Sequence, residues 1–441
     1  MERFYEKLQT ALDNRRDAKR LINPPPESAK ANMIDFSSND TLSLSTSRIL
    51  TAAFLHQLET HPDFIVGSRS ARSLDGTQDY LTDIEAYLAA FHGAETALFF
   101  NSGFDANVAL WSTLPQPGDF VVHDEYVHAS IHDGMRKCRA KISPFRHSDC
   151  ADLRRRLVAI RDQNETIARG ENHVFIALES FYSMDGDLVP IEGILATVSE
   201  ALPLGNYLLS IDEAHSNGLV GPKGAGVVSY YGLEDQFAFR LATDGKALGS
   251  TGAAILCREV VKQTLINYSR ESIFSTAPSF LTVSAVRAGY EILASEEGEK
   301  AGPLGLYSHS AKKLQRRHAL QQNIHSFYHL LTTNKTWTHP FRKRVLYIPT
   351  ETRWKTQPFL APIIGLVTTQ PEKAGLLADK LAEAHYFTNV VHFPIVPKGM
   401  DRIRLMIHAD NTREQIAHVV ELIVAWVAGE VGDIKPARPR L

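Results

Sequence analysis

Tyr207-Leu208-Leu209-Ser210-Ile211-Asp212-Glu213-Ala214-His215 reads as an apolar strand that ends on a carboxylate, with a histidine three residues on at the lip of a sheet. Further along, Thr243-Asp244-Gly245-Lys246-Ala247-Leu248-Gly249-Ser250-Thr251-Gly252 sets one lysine among small and hydroxyl residues. Outward from these two stretches, short apolar runs alternate with helical patterns between about Ser47 and Ala294, the order expected of βαβ units around a mostly parallel sheet. Strands are predicted over Ala97–Phe100, Phe120–His123, Val174–Leu178 and Tyr207–Ile211. Ligands of such sheets sit beyond the carboxyl ends of the strands, which is where Asp212 falls.

An Asp at that place reads either as a cap for the next turn or as the partner of a pyridinium nitrogen, as in pyridoxal phosphate (PLP) enzymes, where it preserves the electron sink. Two potential ligands in D-x-x-H are too few for a zinc site. The Lys246 segment reads either as a Gly-rich turn with a solvated lysine or as a Schiff-base lysine among phosphate-binding groups; its spacing is not that of a nucleotide P-loop. Ser102-Gly103-Phe104 opens a helix after a strand and would aim free N–H groups at an anion. His128 and His132 are four apart, yet no H-E-x-x-H occurs, so His128 reads better as a residue stacked on an aromatic cofactor than as a metal ligand. Ser183 follows another strand and could serve a phenolate oxygen, while Asp185 and Asp187 could simply shape the turn. Ser275-Thr276 is a hydroxyl pair ahead of a helix that begins with proline.

With 47 Lys plus Arg against 50 Asp plus Glu, the 441-residue chain has a formal charge of -3 and no basic field to collect nucleic acid. Three scattered cysteines, Cys138, Cys150 and Cys257, make no disulfide framework and suit a reducing compartment. No apolar h-region or membrane-length apolar run is visible, so a cytoplasmic location is expected. A peroxisomal one is the alternative, through the S-K-L-like ending Pro439-Arg440-Leu441. Pro24-Pro25-Pro26 stops an amino-terminal helix, and the pattern changes after Ala294, with further strands at Arg344–Ile348, Ile363–Val367 and Ile403–Ile407. The expected division is an arm and small-domain segment (1–46), a large domain (47–294) and a smaller α/β carboxy-terminal domain (295–441).

Taken in order, these stretches resemble the α-oxoamine synthases, PLP enzymes that condense an amino acid with an acyl-CoA. The likeness is carried by Asp35-Phe36-Ser37-Ser38-Asn39-Asp40, Ser102-Gly103-Phe104 with Ala106-Asn107, and His128-Ala129-Ser130. It continues through Ser183-Met184-Asp185-Gly186-Asp187, Asp212-Glu213-Ala214-His215, Gly245-Lys246 with Gly252-Ala253-Ala254, Phe274-Ser275-Thr276, and Arg402-Ile403-Arg404-Leu405.

The resemblance implies a type I PLP-dependent transferase fold, α/β in class, and a homodimer with shared sites. It implies Lys246 as the Schiff-base residue and general base, Asp212 on the pyridine nitrogen, His215 and Ser183 on the phenolic oxygen, and His128 over the ring. Ser102, Thr243 and the backbone of Gly103 and Phe104 would serve the phosphate, and Ser275 and Thr276 the neighbouring subunit's phosphate. Arg404 and Asn39 would bind the amino-acid carboxylate, and Arg20 the acyl tail; no metal is expected. Ala11-Leu12-Asp13-Asn14-Arg15-Arg16 leans toward the biotin-assembly branch, so L-alanine and a pimeloyl-type thioester are the expected substrates. Glycine or serine, an acyl chain of secondary metabolism, and PLP transamination are the alternatives. Three positions depart from the family pattern. Arg69-Ser70-Ala71-Arg72 places two cations where small residues approach substrate, Leu81 replaces a histidine, and Asp244 adds an acid that would raise the Lys246 pKa if it pointed inward.

Overall fold

A computed structural model of the protein describes residues 1–17, 21–24, 26–297, 316–339 and 342–432. Arg20 and Pro439-Arg440-Leu441 lie outside the described residues. After an exposed helix, Glu2–Asp17, and a short strand β1 (Ile34–Asp35), the chain builds its large sheet. The strands are β2 (Thr96–Phe100), β3 (Phe120–Asp124), β4 (Lys141–Phe145), β5 (Val174–Glu179), β6 (Tyr207–Asp212), β7 (Phe239–Thr243) and β8 (Ala253–Cys257). Their order is β2-β8-β7-β6-β5-β3-β4, with β8 antiparallel to both neighbours and the other pairs parallel.

Packing on both faces explains why these strands, apart from the largely exposed edge strand β4, are mostly apolar. Ile176, Leu178, Leu209, Ile211, Ala242 and Leu256 pack on one face, with Leu81 and Leu88 of the helix Asp79–His92 and with Leu153 and Leu157. Phe175, Ala177, Phe239, Leu241 and Ile255 pack on the other, with Ala106, Leu110 and Trp111 of the helix Gly103–Thr113. Leu81, at the place of the expected histidine, is wholly buried in the first layer. Burying each such side chain contributes about 1.5–3 kcal/mol.

The second sheet comprises β9 (Leu346–Tyr347), β10 (Ile363–Thr368), β12 (Asn389–Val391) and β13 (Arg402–Met406), in the antiparallel order β12-β13-β10-β9. The strand expected at Arg344–Ile348 is shorter, because Arg342–Arg344 winds into a turn that buries Arg342 against Glu351 and the Trp337 carbonyl. The strand at Ile403–Ile407 starts one residue earlier, with Arg402 paired to both Val367 and Val391. β1 pairs in parallel with β11 (Tyr386–Phe387), and Met406 N–H donates to the Phe36 carbonyl at 2.8 Å, so the Asp35–Asp40 stretch lies on this sheet. Among the described residues no helix is long and apolar enough to cross a membrane.

The two sheets meet at the loop after β5. Gly186 has φ +71°, and a Cβ there would lie 2.2 Å from the Ile363 carbonyl oxygen, so only glycine lets the loop close on β10. Asp185 pairs with the buried Arg402 of β13, and Arg404 Nε donates to the Ser183 carbonyl at 2.7 Å. Asp187 and Asp124 clamp His147 between them, each at 2.9 Å from one ring nitrogen. Burial alone would lower the His147 pKa, but the two carboxylates outweigh it and push it up to about 10.

Since the folded-state pKa lies above the ordinary 6.5, the clamp contributes fully below about pH 6.5 and is lost as pH rises towards about 10. Thermal midpoints measured across that window should fall more steeply for the native chain than for His147→Gln. Equal slopes would show that the clamp carries no proton-linked stability.

Candidate active site

The carboxyl ends of β5, β6 and β7 open onto one cup. On β6, Leu209 and Ile211 face one core layer, so Asp212 turns to the side of the helix Gly103–Thr113. There Asp212 Oδ2 accepts from Asn107 Nδ2 at 2.8 Å and Oδ1 from the Ala214 N–H at 2.9 Å. Three residues past β7, in the turn closed by Asp244 N–H to the Gly252 carbonyl, stands Lys246, its Nζ 3.0 Å from His215 Nε2. Burial lowers the Lys246 pKa, and Arg404 adds to that, while Asp212 and Glu179 oppose it. Burial, then the charges of Lys246 and Arg404, hold His215 well below the ordinary imidazole value. The pair is therefore an amine next to a neutral imidazole.

The wall opposite is the start of the helix Gly103–Thr113. Ser102 caps it, its Oγ accepting the Asp105 N–H at 3.0 Å and its carbonyl the Ala106 N–H at 3.1 Å, while the N–H groups of Gly103 and Phe104 in the first turn have no intrahelical acceptor. A Cβ on Gly103 would lie 3.0 Å from Thr243 Oγ1, so the helix start approaches β7 more closely than a side chain would allow. Phe104 is exposed, edge-on to the His128 ring at 6.4 Å between centroids. His128 caps the next helix, and its Nδ1 meets Ser130 Oγ at 2.7 Å. Ser130 Oγ in turn accepts from Asn107 Nδ2 at 3.0 Å, so a polar chain runs from His128 to Asp212.

At the rim toward the second sheet, both terminal nitrogens of Arg404 donate to Asn39 Oδ1, at 3.1 and 3.2 Å. Burial brings the Arg404 pKa down to about 10. Ser183 is tied into this corner through its carbonyl.

Lys246, Asp212, His215, His128, Thr243, Gly103 and Phe104 thus surround one cup, and Arg404 with Asn39 and Ser183 edges it. Ser275 and Thr276 lie elsewhere, exposed on the surface, where the Thr276 carbonyl accepts from Asn101 Nδ2.

Three residues that sequence reasoning did not place in the site belong to its wall: Asn107, Ser130 and Glu179. Glu179 ends β5 in register with Asp212 and is buried with no partner for Oε1. Burial and the Asp212 charge raise its pKa well above the usual carboxylate range. Its position at a strand end, one strand over from Asp212, was the available signal.

Two departures resolve differently from expectation. Arg72 does not approach the cup but is buried in an ion pair with Glu85 at 2.6 Å. Asp244 does not face Lys246; alternation along β7 turns it to the opposite side from Thr243, into the layer that holds Tyr290.

These groups fit PLP. The cup offers an amine, a buried carboxylate whose oxygens each keep a free lone pair, and the N–H groups of a helix start that lies against the Thr243 hydroxyl, a pairing that suits phosphate. A metal is a poorer match to the nearby cluster of His147, Asp185 and Asp187, because both imidazole nitrogens and Asp185 are already engaged.

A family model for aminotransferase class I and II matches residues 31–423. An 8-amino-7-oxononanoate synthase of Emericella nidulans is 38% identical over 427 residues, covering 96% of this chain and 95% of that protein. An "aminoacyl transferase sphA" of Aspergillus fumigatus is 36% identical over 434 residues, 98% and 89% of the two chains. Among solved structures, the serine palmitoyltransferase of S. paucimobilis with a bound PLP–myriocin aldimine superposes with a TM-score of 0.73. It is 25% identical, over 91% of this chain and 89% of that one.

Asn107 holds the carboxylate on which the cup is centred, and a hydrogen bond to a charged group contributes about 1.5–3 kcal/mol. Asn107→Leu should therefore weaken PLP binding by about tenfold or more, read as the dissociation constant in a fluorescence titration. An unchanged constant would show that Asp212 is held without it.

Proposed function

The chain belongs to the aminotransferase class I and II family, as a PLP-dependent acyltransferase of the α-oxoamine synthases with the type I fold, and on that premise we propose what it joins and with which residues. The reaction is a decarboxylative condensation of an amino acid with an acyl-CoA, giving an amino ketone, coenzyme A and carbon dioxide. The observation that carries this reading is the meeting of Lys246 with neutral His215 at 3.0 Å beside Asp212.

PLP, once bound, supplies the electron sink for the Cα carbanion and for loss of carbon dioxide. Lys246, its pKa lowered by burial, takes the Cα proton of the amino acid as general base and later returns a proton to the same carbon. His215 Nε2, bare in its neutral form, accepts a hydrogen bond from the Lys246 amine and keeps it aimed. Asp212, oriented by Asn107, serves the ring nitrogen; Ser183 and His215 serve the phenolic oxygen. Thr243, Ser102 and the backbone of Gly103 and Phe104 serve the phosphate. Arg404 and Asn39 hold the amino-acid carboxylate at the rim, and His128, exposed toward the cup, covers the ring and donates to the thioester oxygen.

L-Alanine and a pimeloyl-type thioester are the proposed substrates, as in biotin assembly, supported by the likeness to an 8-amino-7-oxononanoate synthase along nearly the whole of both chains. Serine or glycine with a different acyl chain is the second reading, supported by the likeness to a serine palmitoyltransferase.

Thiol release from pimeloyl-CoA and from a long-chain acyl-CoA, each with L-alanine, glycine or L-serine, separates the two. Release confined to L-alanine with pimeloyl-CoA supports the first reading, and release with serine and a long chain the second. A keto acid formed without thiol would replace both by transamination. Lys246→Ala should lower release by on the order of 10³-fold or more.

The same reading makes the chain a homodimer in which Ser275 and Thr276, beside a Phe274 that is 70% exposed, reach the other subunit's phosphate site. Light scattering should give twice the mass of the chain, and a fully active monomer would remove this part.

A further inference from the structure

Ser130 is wholly buried in the first turn of the helix Ala129–Lys137, and its two donors meet at one atom. Its backbone N–H donates to His128 Nδ1 at 3.2 Å, and its Oγ lies 2.7 Å from the same nitrogen. A backbone N–H can only donate, so Nδ1 faces it with a lone pair and carries no hydrogen.

From the other side, Asp212 Oδ2 accepts from Asn107 Nδ2 at 2.8 Å, which fixes the direction of the Asn107 amide. The same nitrogen gives its second hydrogen to Ser130 Oγ at 3.0 Å. Having accepted there, the Ser130 hydroxyl keeps its own hydrogen for His128 Nδ1. Hydrogens therefore run one way, from Asn107 through Ser130 to His128, and a neutral imidazole with a bare Nδ1 holds its hydrogen on Nε2. The titratable groups around the ring are Asp212, Lys246, His215 and Glu179 across the cup, with Asp133 and His132 on its own helix. Burial, helped by the Lys246 charge, outweighs Asp212 and Asp133 and holds the His128 pKa below the ordinary imidazole value.

We infer that Ser130 is a positioning residue that locks His128 as a one-way hydrogen-bond donor, bare at Nδ1 and protonated at Nε2. A proton arriving at Nδ1 would face the Ser130 N–H and displace the hydroxyl hydrogen, and Nε2 has no lone pair to offer. The ring is then no general base, and removal of the Cα proton is left to Lys246. On the condensation proposed above, on which this part of the role rests, the Nε2–H is directed at the thioester oxygen and stabilises the charge that gathers there as the acyl carbon is attacked. Asn107 is shared between Asp212 and Ser130, so the carboxylate of the cup and the polarity of its histidine are set by one amide.

The PLP-loaded enzyme carrying isotope-labelled histidine, read by nitrogen magnetic resonance before any substrate is added, tests the tautomer directly. The His128 signals, identified by their loss in His128→Asn, should show a bare Nδ1 and a protonated Nε2. Ser130→Ala withdraws the hydroxyl donor from the neutral ring and should raise the pH at which the ring takes up a proton by roughly half to one unit. It should also lower kcat for thiol release about three- to tenfold. Ser130→Thr, which keeps the hydroxyl, should restore both. A hydrogen on Nδ1 in the native enzyme, or a ring titration that Ser130→Ala leaves in place, would overturn the proposal. Should Ser130→Ala fail to fold, the native signals still decide. A native enzyme with a bare Nδ1 that releases no thiol from any substrate pair would strike the condensation and leave the tautomer standing.

Discussion

Parallel pairing of β5, β6 and β7 brings three strand ends to one edge, and the chemistry available to the protein depends on that register. Glu179 opposes Asp212 across β5 and β6, and β7 ends one turn before Lys246. Because side chains alternate between faces, Glu179, Asp212 and Thr243 all turn toward the helix Gly103–Thr113, while Asp244 turns to the other side. A slip of one residue in β6 would exchange Asp212 for an apolar neighbour and empty the cup of its carboxylate.

Electrostatic balance in the cup follows from burial more than from any single pair. Desolvation works against the charge on Lys246, on His215 and on Glu179 alike, while Asp212 accepts hydrogen bonds from Asn107 and the Ala214 N–H. The result is an amine of reduced basicity beside a neutral imidazole, with a carboxyl of raised pKa, Glu179, on the neighbouring strand end. Asn107 is the hinge of this arrangement, since one amide group serves both Asp212 and, through Ser130, the His128 cap.

The second sheet completes the site by reaching it. Arg402 and Arg404 are two apart on β13, and their guanidinium groups engage successive parts of one loop, Asp185 and the Ser183 carbonyl. Asp187 ties the end of that loop to His147 and hence to Asp124 at the end of β3. The turn-forming acids of the Ser183–Asp187 stretch are thus structural ties between sheets, with the candidate carboxylate-binding arginine held at one end.

Much of this was written in local sequence. Apolar runs with period-two faces determine the buried parallel strands, and a polar residue at the end of such a run or within four positions of it, as at Asp212, Ser183 or Lys246, determines the edge where ligands meet. The order of those stretches also determines the family. The β7 alternation even determines the side on which Asp244 falls, which adjacency to Lys246 leaves open. Tertiary structure decided what depends on partners distant in the chain: that Arg72 is spent on Glu85, that Glu179 shares a face with Asp212, and that Asn107 and Ser130 join His128 to the strand end. It also decided that Tyr290 and His92, on two different helices, meet in the core behind the large sheet. The physical reason is that hydrogen-bond direction and desolvation are set by everything packed around a group, and in this chain those neighbours come from elements tens to hundreds of residues away.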